Sequence, residues 1–86
     1  MRTGTQVTIY TTSYCPYCTR AKNLLVQKKI AFREIDVTND QAGRDEIEEK
    51  TGWMTVPMIF IGDDFIGGFD ELNALEQSGE LDKKLQ

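Results

Sequence analysis

The two cysteines of this chain, Cys15 and Cys18, lie in the tetrapeptide Cys-Pro-Tyr-Cys. A strand-forming run, Val7-Thr8-Ile9-Tyr10, comes before them, and a helical pattern follows. The pair is therefore expected at a helix N-terminus, where unpaired backbone N–H groups and the helix dipole stabilise an anion. Because the thiolate is the reactive form of cysteine, this arrangement predicts thiol redox chemistry.

The composition limits the alternatives. At 86 residues and 40% hydrophobic, the chain is expected to form one small domain, 1–86, with a modest core. Two cysteines exclude a multi-disulfide scaffold, and no apolar run reaches membrane-spanning length, so no membrane partner is expected. The first six residues show no signal-peptide pattern. The expected location is cytoplasmic, where a cysteine pair is more often catalytic than structural.

Charge is unevenly distributed along the chain. Residues 1–37 carry six Lys or Arg and two Asp or Glu, whereas residues 38–86 carry four and twelve, which gives a net charge of −4. The basic first part is expected to support a thiolate and to attract anionic substrates. The sequence lacks the dense basic face of nucleic-acid-binding proteins, so no nucleic-acid partner is expected.

The elements that must position the cysteines follow from the hydrophobic pattern. Runs of β-branched and aromatic residues predict four strands, at about residues 7–11, 31–36, 58–61 and 65–66. Helical spacing predicts three helices, over about 16–29, 40–52 and 70–79, and Leu81 with Leu85 indicates a short fourth. The order β-α-β-α-β-β-α implies a parallel first pair and an antiparallel hairpin. This predicts an α/β fold, a four-stranded mixed sheet flanked by helices.

Three motifs occur in order: Cys15-Pro16-Tyr17-Cys18, Thr55-Val56-Pro57 and Gly67-Gly68-Phe69-Asp70-Glu71. Together they resemble the dithiol glutaredoxins, over about residues 7–79. The resemblance implies a thioredoxin-like fold and a glutathione-dependent oxidoreductase that reduces protein disulfides and glutathione mixed disulfides. It implies glutathione as co-substrate and no metal or flavin. A monomer is the default expectation. The implied partners are glutathione and glutathionylated or disulfide-containing proteins.

The resemblance assigns different roles to the two cysteines. Cys15 is the expected nucleophile, its thiolate favoured by helix N–H groups and by Arg20 or Lys22. Cys18, in the first helical turn behind it, is expected to resolve mixed disulfides by attacking the sulfur held on Cys15. The alternative is that the glutathione half-reaction needs Cys15 alone.

The second motif is expected to face Cys15. The resemblance implies a cis bond between Val56 and Pro57 that leaves the Val56 N–H and C=O groups unpaired. These groups, with Thr55 beside them, would pair with the cysteinyl unit of glutathione as a strand edge does. The alternative is a proline that only begins an edge strand.

The third motif joins a glycine turn to a helix N-terminus. The resemblance implies that backbone N–H groups at Gly68 and Phe69 bind the γ-glutamyl carboxylate of glutathione. Asp70 or Glu71 would face its ammonium group. The simpler alternative is that Asp70 is the N-cap of the helix, a role compatible with ligand binding.

The resemblance also suggests roles for four further residues near glutathione. Arg44, on the second helix, either contacts the glycyl carboxylate of glutathione or is a solvated residue. Tyr17 either flanks glutathione or covers the helix start. Thr12 stands where many relatives have Lys, which predicts a weaker electrostatic attraction for glutathione. Trp53 either forms an apolar wall of the site or packs as a loop residue.

Three other functions stay open on the sequence alone. One is a small redoxin reduced by a flavin reductase, against which the third motif argues. Another is an iron–sulfur carrier that holds its cluster between two chains with glutathione as the extra ligand, which Pro16 disfavours by resemblance. The third is a redox-silent interaction module.

Overall fold

The computed structural model describes residues 6–85, which form four strands and four helices. In chain order these are β1 (Val7–Thr11), α1 (Pro16–Gln27), β2 (Phe32–Asp36), α2 (Gln41–Thr51), β3 (Met58–Ile61), β4 (Asp64–Gly67), α3 (Phe69–Ser78) and α4 (Glu80–Lys84). Of these helices, none is long and apolar enough to cross a membrane.

The strands form one mixed sheet in the order β2-β1-β3-β4. Strand β1 runs parallel to β2 and antiparallel to β3, and β3 runs antiparallel to β4. The predicted four-stranded mixed sheet is therefore confirmed. Helix α1 ends two residues earlier than predicted, because Lys29 adopts a positive φ of 60° that a right-handed helix cannot continue.

The larger hydrophobic core, here called the large core, lies between one face of the sheet and helices α1, α3 and α4. Side chains alternate along β1 and β3, so that every second residue of each strand points to this face. The buried members are Val7, Ile9, Ala21, Leu25, Ile59, Ile61, Leu72, Leu81 and Leu85. The helices that carry the first and third motifs are therefore fixed by the most extensive apolar burial.

A second cluster, here called the small core, lies under α2 on the opposite face. Its buried members are Ile47, Met58 and Phe60, with Tyr10, Trp53, Val56 and Phe65 packed against them. Ile47 is the only buried residue of α2. Ile47 is therefore the main apolar anchor of this highly charged helix.

Candidate active site

The N-terminus of α1 places Cys15 at the N-cap. Its backbone is extended, and its Sγ accepts a hydrogen bond from the Cys18 N–H at 3.1 Å. Pro16 follows in the first turn, where a missing N–H costs nothing. A sulfur in this position lies at the positive end of the helix dipole, and an anion is the stronger acceptor of that N–H.

The second motif lies directly opposite Cys15. The Val56–Pro57 peptide bond is cis, as the resemblance implied. The Cys15 Sγ–H donates to the Val56 carbonyl oxygen at 3.4 Å. The start of α1 and the loop before β3 are thus in contact through the thiol itself.

Cys18 differs sharply from Cys15 in its surroundings. Cys15 is partly exposed, whereas Cys18 is 1% exposed. Burial, followed by the hydrogen bond with Cys15, raises the pKa of Cys18 to about 12, against the smaller lowering effects of the Thr12 backbone and the Lys22 charge. Cys18 is therefore a neutral thiol at rest, and Cys15 is the accessible sulfur.

The second and third motifs enclose one groove of about 540 Å³. It contains eight of the nine residues that the resemblance assigned to glutathione, together with Trp53: Tyr17, Trp53, Thr55, Val56, Pro57, Gly68, Phe69, Asp70 and Glu71. The motifs approach each other closely, because a Cβ added at Gly68 would lie 3.4 Å from the Pro57 carbonyl oxygen. A Cβ at this position would thus be in van der Waals contact with the second motif.

The start of α3 corrects one prediction. The N-cap is Gly68, not Asp70, because the extended Gly68 leads directly into a helix that begins at Phe69. Asp70 lies in the first turn, and the Glu71 carboxylate accepts the Gly68 N–H at 2.9 Å. Gly68 has no side chain to reciprocate, so this is half of a capping box. The Gly68 N–H that was expected to meet a ligand already has a partner.

Aromatic rings line the groove. The rings of Tyr17 and Phe69 approach with centroids 6.3 Å apart, which joins α1 to α3. The Arg20 guanidinium lies 5.2 Å from the centroid of the Tyr17 ring and brings a positive charge to this wall. Trp53 packs edge-on against Phe65 at 5.5 Å. It thus serves both as a groove wall and as a packed loop residue, the two alternatives that the sequence left open.

Arg44 is not among the groove residues. Its guanidinium binds Glu48 on the next turn of α2 at 2.9 Å and the Tyr14 hydroxyl at 3.4 Å. Tyr14 immediately precedes Cys15 and is 67% exposed. Arg44 therefore contacts the residue that immediately precedes Cys15 and does not line the groove. Its contact with a glycyl carboxylate stays a prediction.

The structure gives Thr12 and Lys22 surroundings that the sequence analysis did not predict. Thr12, at the position where relatives often have Lys, is 4% exposed, and within residues 6–85 its hydroxyl has no hydrogen-bond partner. Lys22, considered as a support for Cys15, forms an ion pair with Glu34 at 2.9 Å. The burial of Thr12 was foreseeable from its place directly after β1, whereas the partner of Lys22 depends on strand register.

Over the same described residues, no group of three or more metal-ligating side chains converges.

Comparison with known proteins identifies the relatives of this chain. The Glutaredoxin family model matches residues 7–66. A glutaredoxin of Pseudomonas aeruginosa is 49% identical over 79 residues, which cover 92% of this chain and 94% of that protein. The solution structure of a Brucella melitensis glutaredoxin is 48% identical with a TM-score of 0.85, covering 95% of this chain and 89% of that one.

A more distant neighbour shows the same fold. The crystal structure of a buckwheat glutaredoxin–glutathione complex matches with a TM-score of 0.87 at 30% identity, covering 92% of this chain and 74% of that one. The thioredoxin-like fold predicted from the motifs is thereby confirmed. Since the family model spans most of the sequence and relatives align along nearly their whole length, this chain belongs to the glutaredoxin family of thiol–disulfide oxidoreductases.

Proposed function

We propose that this oxidoreductase depends on glutathione and reduces both glutathione mixed disulfides and protein disulfides. The observation that carries the proposal is the groove beside Cys15, which the two later motifs build together. Its volume falls within the range of small-molecule sites, about 300–1,000 Å³. The buckwheat relative, whose structure is a complex with glutathione, supports the tripeptide as the ligand.

The groove offers partners for the cysteinyl unit and for the γ-glutamyl end of the tripeptide. In our proposal, the Val56 backbone pairs with the cysteinyl unit, so that the glutathione sulfur faces Cys15. The γ-glutamyl carboxylate meets the backbone N–H groups of Phe69 and Asp70, because Glu71 already occupies that of Gly68. The exposed Asp70 carboxylate faces the γ-glutamyl ammonium group.

The monothiol route uses Cys15 alone. Its thiolate attacks the glutathione sulfur of a mixed disulfide, the substrate thiolate leaves and takes up a proton, and the glutathione stays on Cys15. A second glutathione, as its thiolate, then attacks the glutathione sulfur held on Cys15. Oxidised glutathione leaves and the Cys15 thiolate is restored. The groove contributes by orienting the attacked sulfur.

The dithiol route adds Cys18. Cys15 first attacks a protein disulfide and forms a mixed disulfide with the substrate. Cys18 then attacks the Cys15 sulfur, the substrate leaves as a thiol, and two glutathione molecules reduce the Cys15–Cys18 disulfide. The partly exposed Cys15 and the buried Cys18 suit these roles of attacking and resolving sulfur.

The first experiment compares the wild type with Cys15→Ser and Cys18→Ser in the glutathione-dependent reduction of a glutathione mixed disulfide. We expect no activity in Cys15→Ser and retained activity in Cys18→Ser. A wild type inactive with glutathione would refute the proposal. It would favour reduction by a flavin reductase or binding of an iron–sulfur cluster.

A second experiment tests the groove. Asp70→Asn is expected to raise the KM for glutathione about three- to tenfold with little change in kcat, because the variant loses one charge-assisted contact. Asp64→Asn is the matched control, since Asp64 is also an exposed aspartate but lies in the β3–β4 hairpin. Equal KM values in the two variants would remove Asp70 from the proposed site.

A further inference from the structure

A network of polar side chains links helix α1 to strands β1 and β2. The Thr11 hydroxyl donates to Glu34 Oε2 at 2.7 Å, and Lys22 Nζ binds the same oxygen at 2.9 Å. Thr11 is 1% exposed, whereas the side chains of Lys22 and Glu34 are about one-third exposed. One carboxylate oxygen thus joins β1, α1 and β2 and restrains the Lys22 ammonium group.

This network lies next to Cys18. Cys18 and Lys22 are four residues apart in α1 and therefore share one helix face. Helical side chains lean toward the N-terminus, so the Lys22 side chain extends over the turn that contains Cys18. On the sheet side, Thr11 immediately precedes Thr12, whose backbone lowers the pKa of Cys18 against the larger raising effect of burial.

The charges around Cys18 change during the dithiol route. At rest, burial and then Cys15 raise the pKa of Cys18, while the Thr12 backbone and the Lys22 charge lower it. Once Cys15 carries a mixed disulfide it has no charge and no thiol proton. Burial then opposes ionisation alone, and Thr12 and Lys22 are the groups that favour it. The charged groups facing Lys22 from β2 are Glu34 and Asp36.

We propose that Lys22, restrained by Glu34 and Thr11, is a positioning residue for the resolving step, in which its ammonium group favours the attacking Cys18 thiolate. The proposal rests on the dithiol route of the proposed function. Cys18 releases its proton to solvent, its sulfur forms a bond with the Cys15 sulfur, and the bond from Cys15 to the substrate sulfur breaks. The substrate leaves with that electron pair and takes up a proton.

The test measures the resolving step directly. The protein is loaded with glutathione on Cys15 by exchange with oxidised glutathione, and release of glutathione is followed against pH. Lys22→Gln is expected to release glutathione about threefold more slowly near neutral pH, as a partly exposed charge predicts. In Glu34→Gln, the side-chain oxygen can still accept hydrogen bonds from Thr11 and Lys22. The variant loses the negative charge that offsets the charge of Lys22. It is expected to release glutathione faster.

A second readout needs neither glutathione nor activity. In a Cys15→Ser background, alkylation of Cys18 at fixed pH follows its thiolate fraction, and the two variants should again change the rate in opposite directions. Loosening of the structure would accelerate alkylation in both. Lys28→Gln is the matched control, because it breaks ion pairs with Glu76 and Asp82 at the far end of α1.

The outcomes separate the two proposals. Opposite changes in Lys22→Gln and Glu34→Gln, with Lys28→Gln unchanged, support the positioning role. An unchanged Cys18 rate in Lys22→Gln, or changes of the same sign in both variants, would overturn it. Absence of glutathione-dependent turnover in the wild type would instead refute the proposed function, and the alkylation result would still stand.

Discussion

The two faces of the sheet differ in how much they bury. Within residues 6–85, the large core contains nine buried residues and holds α1, α3 and α4, whereas the small core contains three and holds α2. The two helix N-termini at the candidate site both belong to the large-core face. The difference teaches that the two helix N-termini of the site rest on the most strongly packed elements, whereas the groove residues Trp53 and Val56 pack against the small core. Helix α2 itself depends on Ile47 and on the Arg44–Glu48 ion pair within the helix.

The largest expected effect comes from the large core. Leu25→Ala removes a fully buried side chain of α1 and should lower the free energy of unfolding by about 3 kcal/mol. Denaturant unfolding, monitored by Trp53 fluorescence, measures the loss. A loss below about 1 kcal/mol would show that α1 is not anchored there.

The corresponding change in the small core should be weaker. Ile47→Ala is expected to lower the free energy of unfolding by about 2 kcal/mol, because partly exposed neighbours can close around the truncated side chain. A loss equal to that of Leu25→Ala would remove the distinction between the two faces.

A third prediction concerns the turn into α3. Gly67 has a φ of +124°, and a Cβ there would lie 2.7 Å from the Glu71 side chain. Gly67→Ala should therefore cost about 1–2 kcal/mol and disturb the cap of Gly68. Gly79→Ala is the control, because its φ is +81° but nothing lies within 4 Å. If only Gly67→Ala raises the KM for glutathione, the turn belongs to the groove.

The smallest expected effect is a pH dependence of the folding stability that comes from Glu34 on strand β2. The Thr11 hydroxyl, and next the Lys22 ammonium group, lower the pKa of Glu34. Its stabilising contribution is complete above the unfolded carboxyl pKa of about 4.3 and disappears as pH falls through the lower folded value. Glu34→Gln should thus be less stable than wild type near neutral pH, with the difference shrinking in acid. A constant difference would exclude this linkage.

Much of this architecture could be predicted from sequence. The strands and the position of Cys15 and Cys18 at the start of α1 were predictable, because buried strands and the residues that begin a helix leave strong local patterns. The Gly68 cap was not, because two glycines permit several turn conformations, and Asp70 is an equally good cap by residue type. The partners of Arg44 were not predictable either, since several carboxylates on a charged helix compete at similar free energy.

The burial of Cys18 also has a consequence for timing. Burial still opposes ionisation of Cys18 once Cys15 carries a mixed disulfide, so in the proposed cycle free glutathione competes with Cys18 for that disulfide. The outcome is a race between an internal sulfur and an external one. Abundant glutathione would favour the route through Cys15 alone, whereas scarce glutathione would let more molecules form the internal disulfide.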